Sequence, residues 1–387
     1  MKYDFDTPVN RRNTNSLKWE VAKEELPMWV ADMDFPAAPE IREAMQKRMD
    51  HGIFGYSVIP DAWYEAYLGW WERRHGFVME KEWLHFCTGV MPAVSSLVRG
   101  FAAPGGKVLV QTPVYHCFFQ VIQKAGRQVL ENPLIYEKGA YRMDFADLEE
   151  KLSDPRTAMM ILCNPQNPGG KIWDRETLGR VGELCAKYHV PVLSDEIHCD
   201  LTDPGCGYIP FASVSDACRE NSLTCMAPTK AFNLAGLQTA AVLVPNPELR
   251  EKAWAELGIN EAAEPGIFAV DAAVAAFTRG EEWLDQLRQY VYGNKKLVQE
   301  FLERELPAVR AVPSQATYLL WLDCNGLPGE GLGFASFLRA RTGLYLSPGE
   351  SFGGNGAHFL RMNLACPRAV LEEGLRRLRE GAEAWQR

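Results

Sequence analysis

From Lys107 to Pro245 the chain alternates between short apolar runs and helix-length segments. The runs are K-V-L-V-Q, A-M-M-I-L-C-N, V-P-V-L-S-D-E, L-T-C-M-A and A-A-V-L-V-P, separated by segments such as 114–125 and 174–188. Runs this apolar read as strands buried between layers, and their alternation with helices predicts a mostly parallel sheet covered on both faces. Such sheets place ligands at the carboxyl ends of their strands. Upstream, P-E-I-R-E-A-M-Q-K-R-M opens on proline and runs amphipathic, and D-A-W-Y-E-A-Y-L-G-W-W-E-R-R-H predicts a second helix. Near residue 281 the pattern changes. A long charged helix runs to about 306, followed by strand-like Y-L-L-W-L-D, a helix around 334–342, strand-like H-F-L-R-M-N-L and a final helix. The expected fold is therefore α/β, with a large domain over 46–280 and a smaller α+β domain over 281–387.

A length of 387 residues with 47% hydrophobic content supports two cores, and 24% charged residues without a low-complexity tract leaves no segment that reads as disordered. The net charge of -9 speaks against a nucleic-acid partner. The Arg-Arg pairs at 11–12 and 73–74 read as solvated charges. Acids stand in the N-terminal stretch where a signal peptide needs an apolar core, and no run of about 18 apolar residues follows, so a soluble, cytoplasmic protein is expected. The ten cysteines are scattered through apolar runs and read as reduced core thiols; the seven histidines show no metal-ligand spacing, and no metal site is expected.

The informative charge is a solitary one. Lys230, in A-P-T-K-A-F-N-L-A-G-L-Q, is the only charged residue between Glu220 and Glu248. A lysine at a helix start is ordinarily solvated, but one in surroundings this apolar must be covalently engaged, paired, or shifted in its protonation. Other polar groups stand just past successive strands: Asn164 and Asn167 in C-N-P-Q-N-P-G-G, and Asp195 and His198 in L-S-D-E-I-H-C-D. Each alone could be a turn former or a cap. In a parallel sheet, however, they share one rim with Lys230. T-G-V-M-P at 88–92 adds a helix start whose free N–H groups suit an anion. An amine, an acid, amides and an anion site together suit pyridoxal phosphate.

In this light the chain resembles the fold-type I pyridoxal-phosphate enzymes of the aminotransferase superfamily, and within them the MalY/PatB-type cystathionine β-lyases. The resemblance spans nearly the whole chain. It rests on L-P-M-W-V-A-D-M-D-F, G-I-F-G-Y, T-G-V-M-P, T-P-V-Y, N-P-Q-N-P-G-G, S-D-E-I-H-C-D, P-T-K-A-F-N-L-A-G-L-Q and L-R-M-N-L-A-C-P-R, in the family's order. It implies that Lys230 carries the cofactor as a Schiff base and removes the substrate's Cα proton, and that Asp195 pairs with the ring nitrogen. Asn167 would reach the ring oxygen, Tyr115 the ring face, and the backbone of Val90 and Met91 the phosphate. Tyr56 of a neighbouring subunit would join them, so a homodimer with shared sites is expected, with residues 1–45 packing against the small domain. Arg361 would clamp the substrate carboxylate. Tyr115 and Tyr56 could equally be ordinary tyrosines on sequence grounds alone, whereas an arginine inside the apolar run around 361 needs a partner.

Two positions depart from the wider superfamily. Ala227 replaces a phosphate-binding serine, leaving Thr229 as a candidate substitute, and Gln238 replaces an arginine. His198 stands where aminotransferases carry a tyrosine to the ring oxygen. The lyase-branch motifs rank β-elimination on cystathionine or related S-substituted cysteines, giving thiol, pyruvate and ammonia, above transamination. A non-catalytic, cofactor-holding regulatory protein ranks below both.

Overall fold

The computed structural model describes residues 2–329 and 331–387. Seven strands form the central sheet, in the order Leu84–Cys87, Ala240–Leu243, Ser222–Met226, Val192–Asp195, Thr157–Cys163, Lys107–Thr112 and Gln128–Pro133. The last five run parallel. Ala240–Leu243 runs antiparallel to both its neighbours. Every residue of Val192–Asp195, Ser222–Met226 and Ala240–Leu243 is buried. Helices cover both faces, so these strands show no alternation of buried and exposed positions. The register pairs Cys163 with Asp195 and Asp195 with Cys225. The segments leaving these strands, with Asn167 and Lys230, therefore start side by side at one rim.

A second, antiparallel sheet joins Arg310–Ala311, Leu319–Asp323, Phe359–Asn363 and Ser347–Pro348. The 25-residue helix Glu281–Glu305 precedes it. Leu26–Pro27 pairs in parallel with Leu344–Tyr345 as a separate two-stranded sheet. Among the described residues no helix is long and apolar enough to cross a membrane.

Two expectations are corrected. The helix placed over 114–125 spans Cys117–Lys124. Its start is delayed because the Val114 N–H donates to Phe352 O and the Phe118 N–H to Tyr115 O, which leaves Tyr115 in the turn facing the rim. Nor is the Arg11–Arg12 pair solvated. Arg11 binds Asp32 and Asp34, each at 2.8 Å, and Arg12 donates to the carbonyls of Ala22, Lys23 and Glu25. Arg74 likewise pairs with Asp285 at 2.7 Å, while Arg73 stays half-exposed.

Candidate active site

A cavity of about 500 Å³ opens at the carboxyl rim of the central sheet. Lys230, Asp195, Asn167, His198, Tyr115, Thr229, Val90 and Met91 all line it. Each reaches it by a short path: Asp195 ends a strand, Asn167 and Lys230 follow strands within four residues, and Val90 and Met91 begin the helix Val90–Phe101.

Lys230 follows a tight turn after Ser222–Met226 and donates to the Ala31 carbonyl at 2.7 Å. Burial, reinforced by the Arg361 charge, lowers its amine to about 8, against the opposing pull of Asp32 and Asp195. Asp195 is 5% exposed and accepts one hydrogen bond, from the Ile197 N–H at 3.1 Å. Burial pushes its carboxyl up to about 6. That acid has capacity for a cation. Glu196, the next residue, does not line the cavity. It is held by Ser194 Oγ, the Phe211 N–H and the Tyr208 hydroxyl, so the two adjacent acids have separate tasks. Burial and the nearby Lys230 and Arg361 charges lower the His198 imidazole to about 3, which keeps it neutral. Burial raises the Tyr115 phenol, which therefore stays protonated at neutral pH.

Arg361 arrives from the small sheet. It is 3% exposed and ties the small sheet to the rim of the central one: Nη1 donates to Asn167 Oδ1 at 3.0 Å and Nη2 to the Trp29 carbonyl at 2.8 Å. Its Nε has no partner among the described residues. A buried guanidinium with a donor to spare, beside a cavity holding an amine, is equipped to take a carboxylate.

Arg361 meets the cavity through Asn167 rather than lining it, and one expected residue stands wholly apart. Tyr56 is fully exposed and does not line the cavity of its own chain. The structure also adds residues that sequence reasoning missed. Thr88 and Thr239 line the cavity beside Thr229 and Gln238, and the Thr239 hydroxyl is buried without a partner among the described residues. The His198 Nδ1 is in the same condition. Unpaired buried polar atoms are costly, and both belong to residues that line the cavity. Thr239 directly precedes the apolar strand Ala240–Leu243, and nothing in its flanking sequence sets it apart.

A mostly parallel sheet with this rim is the pyridoxal-phosphate-dependent aminotransferase-like fold, and the chain belongs to the aminotransferase class I and II family, whose profile matches residues 26–378. More narrowly, it is 43% identical to the cystathionine beta-lyase PatB of Bacillus subtilis, over 97% of this chain and 99% of that protein. It is 31% identical to the protein MalY of Escherichia coli, over 96% and 97% of the respective chains. The crystal structure of cystalysin from Treponema denticola, which contains a pyridoxal 5'-phosphate cofactor, superposes with a TM-score of 0.95 at 31% identity, covering 99% of this chain and all of that one.

Proposed function

We propose that this protein is a pyridoxal-phosphate-dependent carbon–sulfur β-lyase of the cytoplasm, cleaving L-cystathionine or related S-substituted cysteines. The cavity's donor set fits the cofactor: an amine of lowered basicity for its aldehyde, an unpaired buried acid for its ring nitrogen, and two orphaned polar atoms. Lys230 would hold it covalently and Asp195 would face its ring nitrogen. Asn167 and His198 would meet the ring oxygen and Tyr115 the ring face. The helix start at Val90 and Met91, with Thr88, Thr229 and Thr239, would take the phosphate, so neutral hydroxyls and backbone N–H groups do what Ala227 and Gln238 cannot. When bound, the cofactor supplies an aldehyde for the substrate amine and a cationic ring that accepts the electron pair left at Cα.

The chain's own residues do the rest. Arg361 binds and orients the α-carboxylate. Lys230, free of the cofactor once substrate is in place, receives the Cα proton at Nζ, for which an amine near neutrality is suited. Expulsion of sulfur from Cβ requires a proton, which Lys230 or the protonated Tyr115 can deliver. Overall, an S-substituted cysteine and water yield thiol, pyruvate and ammonia. The convergence of Lys230 and Asp195 on one cavity carries this reading, and likeness to the PatB lyase favours elimination over transamination. Purified protein with L-cystathionine alone should release pyruvate and a thiol over many turnovers. Product formation only when a ketoacid acceptor is added would make it an aminotransferase.

The reading includes a homodimer. Ile53, Phe54, Tyr56 and Val58 are all exposed along one irregular segment, an apolar stretch that a second copy would cover. Tyr56 would then reach the partner's phosphate site. The Tyr56→Phe variant should remain dimeric by sedimentation but release cofactor about tenfold more readily on dialysis, as expected for one lost charge-assisted hydrogen bond.

A further inference from the structure

Between Met28 and Asp32 the chain runs along the small-sheet strand Phe359–Asn363, and its Ala31 carbonyl reaches the lysine of the cavity. Met28 O accepts from the Asn363 N–H at 2.9 Å. Val30 O and Asp32 O both accept from the Asn363 side-chain amide, at 2.5 and 2.6 Å. The odd-numbered carbonyls take other partners, Ser347 Oγ at 3.1 Å being one of those on Trp29 O. Trp29 O accepts from Arg361, and Ala31 O accepts from Lys230 Nζ at 2.7 Å and the Tyr318 hydroxyl at 2.9 Å. A single buried carboxamide, 1% exposed and itself anchored by the Ala365 N–H at 2.8 Å, thus grips the carbonyls on either side of Ala31.

We infer that Asn363 is a positioning residue for proton transfer: by fixing the Val30 and Asp32 carbonyls it aims the Ala31 carbonyl at Lys230, where it receives the proton-loaded amine. The inference rests on Lys230 acting as the base under the proposed function. A hydrogen bond from an ammonium to a carbonyl is stronger than one from a neutral amine, so an acceptor held in place at Nζ favours the lysine in the state it enters on taking up the Cα proton. The acceptor need not reorganise, because Asn363 has already turned it. Arg361 and Asn363 stand two residues apart on one strand, so the same strand that offers the substrate carboxylate its clamp also sets the acceptor for the base.

The test compares wild type with Asn363→Ala and Asn363→Ser, the serine returning one donor. In cofactor-free protein, the pH dependence of Lys230 acylation by acetic anhydride, read by mass spectrometry of its peptide, should have its midpoint near 8 in wild type. It should fall by about one pH unit in the alanine variant and less in the serine variant, because the charged form loses its acceptor. In the loaded enzyme, kcat should drop about tenfold with KM little changed, and the isotope effect on α-deuterated cystathionine should rise. If the alanine variant does not fold, the serine variant decides by the same readings. A folded variant with unchanged acylation midpoint and isotope effect overturns the inference. Absence of turnover in wild type would instead count against the lyase reading, and the acylation arm would still judge the role of Asn363.

Discussion

Replacing Lys230 with alanine should lower β-elimination on the order of 10⁴-fold or more, because it removes both the covalent attachment point and the base. Pyruvate release measures the loss, and borohydride reduction should no longer fix the cofactor to the peptide containing position 230. The variant should nonetheless fold. In the cofactor-free protein, burial lowers the lysine's proton affinity from 10.5 to about 8. From pH 8 to 10.5 the unfolded chain binds more protons than the folded one, so wild-type stability rises with pH through that window, and at pH 7 the buried ammonium is a cost. Alanine removes that cost, so K230A should be at least as stable as wild type at pH 7 by thermal unfolding. Added methylamine should partly restore turnover, since the vacated volume adjoins the cavity. A variant that keeps most of its activity, or that still traps the cofactor on another lysine, would remove Lys230 from its assigned place.

What could be read in the sequence depended on whether the relevant signal was local. Lys230 was legible because twenty-six neighbouring residues carry no other charge, and the buried strands because a two-sided cover leaves them without polar alternation. The rim grouping of Asp195, Asn167 and Lys230 followed from strand order alone. Arg11 was misread because its partners lie 21 and 23 residues away, and nothing in its flanking sequence signals them. Thr239 and Tyr318 look like ordinary strand residues, and only the fold shows one hydroxyl left without a partner among the described residues and the other bound to Ala31 O. Asn363 was hidden for a further reason. Its task is toward the backbone of residues 30 and 32, and backbone carbonyls have no sequence signature.

Substituting Asp195 with asparagine, which keeps the shape and removes the charge, should reduce turnover by about 10²–10³-fold, the range for losing one preorganised electrostatic contact to a reacting centre. The pH dependence of stability separates this from a packing defect. In the cofactor-free protein the Asp195 carboxyl is raised from 3.8 to about 6 by burial, with only the Ile197 N–H and the Lys230 charge opposing it. Between those two values the folded state binds the proton that the unfolded chain has lost, so stability falls as pH rises through the window and stays lowered above it. At pH 7 the cost is about 3 kcal/mol. Asparagine has no proton to lose, so the difference in thermal stability between D195N and wild type should grow in the variant's favour from pH 4 to pH 6.5. Loading with cofactor should reverse the comparison, because a cation beside Asp195 turns the buried charge from a liability into half of an ion pair. Equal pH profiles for the two cofactor-free proteins, or equal gains on loading, would mean that Asp195 does not hold the cationic end of the ligand.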